Sequence, residues 1–150
     1  MKLRDYLVIL LIAVLDQFTK WAAVHYLTYQ TPVKIIDGFF YLTYTKNTGA
    51  AWSILEGQSW LFIVFAIVAV AYIIYYLNTA KSTSKLMNIA LMFIAGGAIG
   101  NVIDRIHLKY VIDFLDFYIF GYDFPIFNVA DSFITVGMFI LVAAILLEKE

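Results

Sequence analysis

Two carboxylates in this chain sit where their readiness to hold a proton should differ. Asp113 lies in Tyr110-Val111-Ile112-Asp113-Phe114-Leu115-Asp116-Phe117-Tyr118, and a carboxyl poorly solvated among such side chains is harder to ionise. Asp131 follows Asn128 by three residues. If Asn128 caps a helix, Asp131 is its third residue, and the helix N-terminus favours a negative charge there. An acid that keeps its proton and a partner that gives it up are what general acid and general base catalysis require. Each also has a plainer reading: Asp131 alone as a capping-box acid, Asp113 alone as a solvated loop acid.

Further polar side chains, Asp16, Lys20, Asn101, Asp104, Arg105 and Asn128, stand inside or at the ends of otherwise apolar segments. A charge at the centre of a spanning helix costs about 2.5 to 3.5 kcal/mol on insertion scales, so each needs a partner or a purpose. Asp16 and Lys20, four apart with the acid first, form a charge pair that lowers the burial cost of both, or else shape a substrate pocket. Gly96-Gly97-Ala98-Ile99-Gly100 contains the small-residue spacing of closely packed helices. Asn47-Thr48-Gly49-Ala50-Ala51 is small and polar, suited to close backbone approach.

Other chemistries lack their residues. His25 and His107 are the only histidines and no H-E-x-x-H occurs, so a zinc protease has no ligand set. There is no G-x-S-x-G, no phosphate loop, and nothing around Ser53 and Lys46 marks them as a nucleophile and base. The absence of cysteine removes disulfides, thiol nucleophiles and thiolate metal sites. A net charge of −1 gives no reason to expect nucleic acid.

The elements that must position these groups are membrane spans. The chain is 63% hydrophobic and 14% charged, against about 45–50% and about 25% for soluble domains, and its mean hydropathy is +0.86. Four segments reach the ~20 residues that cross a hydrocarbon core: 6–27, 60–77, 86–103 and 126–147. Pro32 and Pro125 fall outside them, so nothing forces a break. Lys2 and Arg4 ahead of an apolar run imitate a secretory leader, but no small-residue cleavage site follows and the run resumes after Lys20; the segment is expected to stay. One all-α membrane domain of four transmembrane helices therefore accounts for residues 1–150.

Four spans put both termini on one side. Lys2, Arg4, Lys81, Lys85 and Lys149 lie there, and the short connection 78–85 is denser in lysine than 28–59, which places the termini in the cytoplasm. The polar residues then sort to the outer half of the membrane. In the first outer connection, residues 33–45 read as two β-rich runs around Asp37-Gly38, a tight hairpin turn. Phe39, Phe40, Tyr41, Tyr44 and then Trp52 crowd it, as interfacial anchors or as a cradle for substrate. The second outer connection, which holds Asp113, is a loop segment.

Taken in order, Asp16-x-x-x-Lys20, Asn47-Thr48-Gly49-Ala50-Ala51, Gly96-Gly97-Ala98-Ile99-Gly100-Asn101-x-x-Asp104-Arg105, Val111-x-Asp113-Phe114 and Phe127-Asn128-x-Ala130-Asp131 resemble the motif regions of bacterial lipoprotein signal peptidase, signal peptidase II. The resemblance implies an aspartic endopeptidase of the bacterial cytoplasmic membrane. It would cut prolipoproteins just before a cysteine carrying diacylglycerol, without metal or cofactor, as a monomer bathed in membrane lipid and inhibited by globomycin-type compounds. It implies Asp113 and Asp131 as the catalytic acids. Asp16, Lys20, Asn47, Gly49, Asn101, Asp104, Arg105, Asn128 and Ala130 would line or support the site. Arg105 is expected to pair with Asp104 or a backbone carbonyl, and Asp116 and Asp123, outside the motifs, are read as turn or surface acids.

Two carboxyls in contact share one proton, and Asp131 is taken as the resting carboxylate with Asp113 as the acid. The alternative is a small four-span proton-coupled transporter, which would need an essential acid near mid-membrane, such as Asp16, and could dispense with Asp113. A non-enzymatic assembly factor would associate through Gly96 and Gly100 and tolerate the loss of both acids.

Overall fold

The computed structural model describes residues 2–49, 57–80 and 84–147. Ala50, Ala51, Trp52, Ser53, Lys81 and Lys149, on which parts of the sequence reading rest, lie outside them. The order of elements is α1 (Leu3–Tyr26), β1 (Val33–Ile36), β2 (Phe40–Asn47), α2 (Ser59–Thr79), α3 (Lys85–Leu108), β3 (Val111–Ile119), β4 (Tyr122–Asp123) and α4 (Val129–Leu147). All four helices are long and apolar enough to cross a membrane, and the chain is a multi-pass membrane protein.

α3 packs against each of the other three helices. Its sequence explains why: Ala90, Ala95, Gly96, Gly97 and Gly100 are small, and small residues let helix backbones approach in lipid, where no hydrophobic force joins them. A side chain at Gly96 would meet Ile12 of α1, one at Gly97 would meet the Ala130 carbonyl of α4, and one at Gly100 would meet the Asp16 carboxyl. The glycine pattern therefore serves close packing, as expected, but toward two helices. Gly137 returns the arrangement from α4, against Ala90.

Along the bundle, apolar and polar contacts separate. At one end Ile9, Ile73, Met87, Leu91, Met92, Ala95 and Ala144 form a buried cluster. At the other, the buried residues of α1 and α3 become Asp16, Lys20, Asn101 and Asp104. Outward faces such as Leu10, Phe18, Phe65, Val68, Phe139 and Leu146 stay exposed, as lipid-facing side chains would.

A four-stranded antiparallel sheet, in the order β1-β2-β3-β4, covers the polar end. The expected hairpin is present: Gly38 takes the left-handed φ of +69° that a tight turn needs, and its N–H is held by the Tyr41 hydroxyl at 2.9 Å. The second outer connection, read from sequence as a loop, supplies β3 and β4 instead. The registers Leu42↔Leu115 and Thr45↔Asp113 leave Thr43 and Tyr44 together opposite Phe114, a β-bulge. β3 lays Ile112 and Phe114 on Ala23 of α1, in a second apolar cluster with Tyr44. Phe40, Phe117 and Phe127 stack at 4.5 and 5.7 Å between ring centres along the sheet.

The element ends also move from their expected places. α3 runs on to Leu108, so Asp104 and Arg105 lie in its last turns rather than beyond a span ending at 103. α4 begins at Val129 rather than 126, because Phe127 bridges to Leu115 of β3 and Asn128 stands outside the helix as its cap. Gly97→Ala is expected to lower the thermal unfolding midpoint in detergent by the equivalent of about 1–3 kcal/mol, since the added methyl meets backbone that cannot step aside. An unchanged midpoint would show that the α3–α4 contact yields freely.

Candidate active site

Asn128 is where the site begins. Its side-chain oxygen accepts the Asp131 N–H at 2.8 Å, and its own N–H donates to Asp131 Oδ2 at 3.3 Å. This reciprocal pair is a capping box, and it fixes the Asp131 carboxylate at the head of α4. The same Asn128 amide donates through Nδ2 to Asp113 Oδ1 at 2.7 Å and to Asn101 Oδ1 at 3.2 Å. One buried side chain thus touches both acids. Asn101 Nδ2 completes the second contact, donating to Asp131 Oδ1 at 2.7 Å.

Asp113 sits on β3 beside Thr45, and the neighbouring Asn47 donates from Nδ2 to Asp113 Oδ2 at 3.0 Å. Asn47 keeps its orientation through its own oxygen, which accepts the Gly49 N–H at 2.9 Å. The Gly49 carbonyl accepts from Arg105 Nη2 at 3.1 Å, while the guanidinium lies over the Phe62 ring at 4.8 Å. Arg105 therefore takes the backbone-carbonyl option. Asp104 is committed elsewhere, to Lys20.

Behind the acids lies an ion cluster. Lys20 is only 1% exposed and its ammonium meets Asp16 Oδ2 at 2.8 Å, Asp104 Oδ2 at 3.1 Å and Asn101 Oδ1 at 2.8 Å. Asp16 Oδ1 accepts the Ala130 N–H at 2.9 Å, and Asp104 Oδ2 the Ile112 N–H at 3.0 Å. All the site residues expected from sequence are thereby drawn together. Gln17 was missed: its Nε2 donates to Asp104 Oδ1 at 2.8 Å and to the Gly100 carbonyl at 3.1 Å. A lone amide between Asp16 and Lys20 was its only signal.

Asp116 corrects the sequence reading. It is no surface acid but 3% exposed, on β3, with Oδ2 accepting from the Thr43 hydroxyl at 2.5 Å. Three residues along a strand reverse the face, so it points away from Asp113. Asp123, on β4, is exposed as expected.

Burial pushes the Asp113 carboxyl up to about 7 and the charge of Asp131 adds to the rise, against the Asn47 and Asn128 amides and the Lys20 charge, which oppose it. A carboxyl that keeps its proton near neutrality can donate it to an oxygen. Among the described residues no group of three or more His, Cys, Asp or Glu side chains gathers as metal ligands would. What the arrangement offers is two neighbouring carboxyls, one bonded to the Asn128 side chain and the other held by Asn101 and the Asn128 backbone N–H.

The protein-family model for Signal peptidase (SPase) II matches residues 8–147. The chain belongs to this family. It is 44% identical over 145 residues to the lipoprotein signal peptidase of Bacillus pumilus strain SAFR-032, across 97% of this chain and 94% of that one. A bacterial membrane enzyme solved by the in meso method at 2.3 Å resolution superposes with a TM-score of 0.90 at 33% identity, over 98% of this chain and 90% of its own. A second, solved by the same method at 1.9 Å, gives 0.85 at 34%, over 95% and 92%. Family membership makes the chain a peptidase, and the carboxyl pair is the arrangement in it suited to that chemistry.

Replacing Asp131 by Asn removes the neighbouring charge that helps raise Asp113. The Asp113 carboxyl, followed by its infrared C=O band, should then titrate at lower pH than in the wild type, where burial and the Asp131 charge push it up to about 7. An unmoved midpoint would show that the two acids do not sense each other.

Proposed function

We propose that the chain is an aspartic endopeptidase that removes signal peptides from diacylglyceryl-modified prolipoproteins, cutting just before the lipidated cysteine. The observation that carries the mechanism is the single Asn128 amide joined to Asp113 and Asp131. Family membership and the name of the Bacillus pumilus relative support the substrate. Asp131, which stands at a helix N-terminus and accepts from the Asn101 amide and the Asn128 N–H, serves as the carboxylate; Asp113 serves as the acid.

In this mechanism Asp131 takes a proton from water as the water oxygen attacks the scissile carbonyl carbon, and Asp113 gives its proton to the carbonyl oxygen. The tetrahedral intermediate then collapses: its hydroxyl proton returns to Asp113, the C–N bond breaks, and Asp131 passes its proton to the leaving amine. Both acids end as they began. Asn101, Asn128 and Asn47 keep the carboxyls oriented throughout.

The same reading places both termini in the cytoplasm and the sheet at the outer face of the bacterial cytoplasmic membrane, where the signal helix and acyl chains of the substrate would stay in lipid. Membrane lipid, a globomycin-type inhibitor and a monomeric state belong to it as expectations. Against a proton-coupled transporter stands the position of Asp113, on a strand outside the spans. Asp16, the mid-span acid a carrier would use, is bound to Lys20.

Asp113→Asn and Asp131→Asn should each slow cleavage of a lipidated precursor, followed on a gel, by at least about a hundredfold. Asp116→Asn, on the far face of β3, should cleave near the wild-type rate. Because Asp113 must hold its proton, wild-type cleavage should fall as pH rises through about 7. Near-normal cleavage by either dyad variant sinks the mechanism.

A further inference from the structure

We infer that Asp16, Lys20 and Asp104 are positioning residues that set the separation of the two catalytic carboxyls. The inference rests on the dyad proposed above. Lys20 has three N–H bonds to give, and its acceptors are Asp16, Asp104 and the Asn101 amide oxygen. Each carboxylate then reaches onward to a backbone N–H. Asp16 takes that of Ala130, the residue before Asp131; Asp104 takes that of Ile112, the residue before Asp113. The backbones of both acids are thus hung, one link away, from a single ammonium.

Neutralising Lys20 would need only one carboxylate. Asp16 suffices for that, so the second carboxylate, Asp104, is not required by the ammonium alone. Its hold on Ile112, with Gln17 supporting its other oxygen, accounts for its presence. Gly100 fits the same purpose, since any side chain there would displace the Asp16 carboxyl. Asn101 closes the arrangement by joining Lys20 to Asp131 Oδ1.

The two limbs of a pH–kcat profile report the coupling between the carboxyls, hence their separation. Among the described residues, the charged groups facing the pair are Asp16 and Lys20 from α1 and Asp104 and Arg105 from α3; from β2 comes the Asn47 amide. Loss of the Asp104 charge alone lowers both limbs together. Loss of a hold on one backbone draws them toward each other.

The test is Asp104→Ala, which leaves the Lys20–Asp16 pair intact, and Asp16→Ala, which leaves Lys20–Asp104, each assayed as full-length protein on a lipidated precursor. Expected are a kcat lower by about ten- to a hundredfold, a KM within about twofold of wild type, and limbs closer together. Folded variants with a wild-type kcat, or a lower kcat with limbs merely shifted in parallel, overturn the inference. Where those variants do not fold, Gln17→Met keeps every charge while removing the amide that supports Asp104, the Gly100 carbonyl and Asp16; it should show a smaller kcat loss with the same narrowing, and a wild-type profile overturns the inference. If wild-type protein does not cleave, or Asp113→Asn cleaves normally, it is the peptidase reading that fails. If wild type cleaves and Asp104→Ala matches it, only the positioning role falls.

Discussion

A buried ammonium determines how this protein is assembled. Lys20 is almost wholly buried, so the fold must bring acceptors to its ammonium. Those acceptors come from α1 and α3, and their remaining lone pairs take up the start of β3 and the start of α4. Removing one member of such a buried set typically costs about 3–5 kcal/mol, because it strands the others. Helix packing follows from the same demand. Gly100 has no side chain because Asp16 occupies the space, and Gly97 none because the Ala130 carbonyl does.

Asn128 shows that two readings of a residue pattern need not compete. Asn-x-x-Asp at a helix start can be a capping box or part of a pair of acids, and here the cap and the link to Asp113 share one residue. The cap holds the Asp131 backbone and carboxylate at the first turn of α4, while the free Nδ2 reaches across to Asp113. A rotated Asn128 would lose the cap and the bridge together. An amide carries acceptor and donor on separate atoms of one planar group, so it can take the Asp131 N–H and give to Asp113 at once, where a carboxylate could not donate.

The parts of this structure legible in the sequence are those decided locally. The spans follow from hydropathy, the hairpin from Asp37-Gly38, and the head of α4 from Asn128 with Asp131 three residues on. β3 was not legible as a strand, because its apolar run is broken by two acids and its partner, β2, lies far back in the chain. The bulge in β2 depends on that pairing and has no turn residue to announce it. Without it, Asp116 reads as a surface acid, when in fact Thr43 meets it on the buried face. Gln17 escaped for a different reason: a single amide in a span has no pattern, and its value appears only beside Asp104 and the Gly100 carbonyl. The partner of Arg105 was open between two options, and long-range contact closed it. Lys20 had already taken Asp104.

Placing the two acids on different kinds of element has a chemical consequence. A carboxyl on a strand in a sheet receives no axial dipole, so Asp113 is governed by burial and by its neighbour's charge, and both hold its proton on. A carboxylate in the first turn of a helix is met by unpaired N–H groups, which suit negative charge without any cation. Equivalent acids on two helices would need some other asymmetry to decide which one donates. Here the asymmetry lies in the backbone, a strand for one carboxyl and a helix head for the other, and Asp16 and Asp104 tie the starts of both elements to one ammonium.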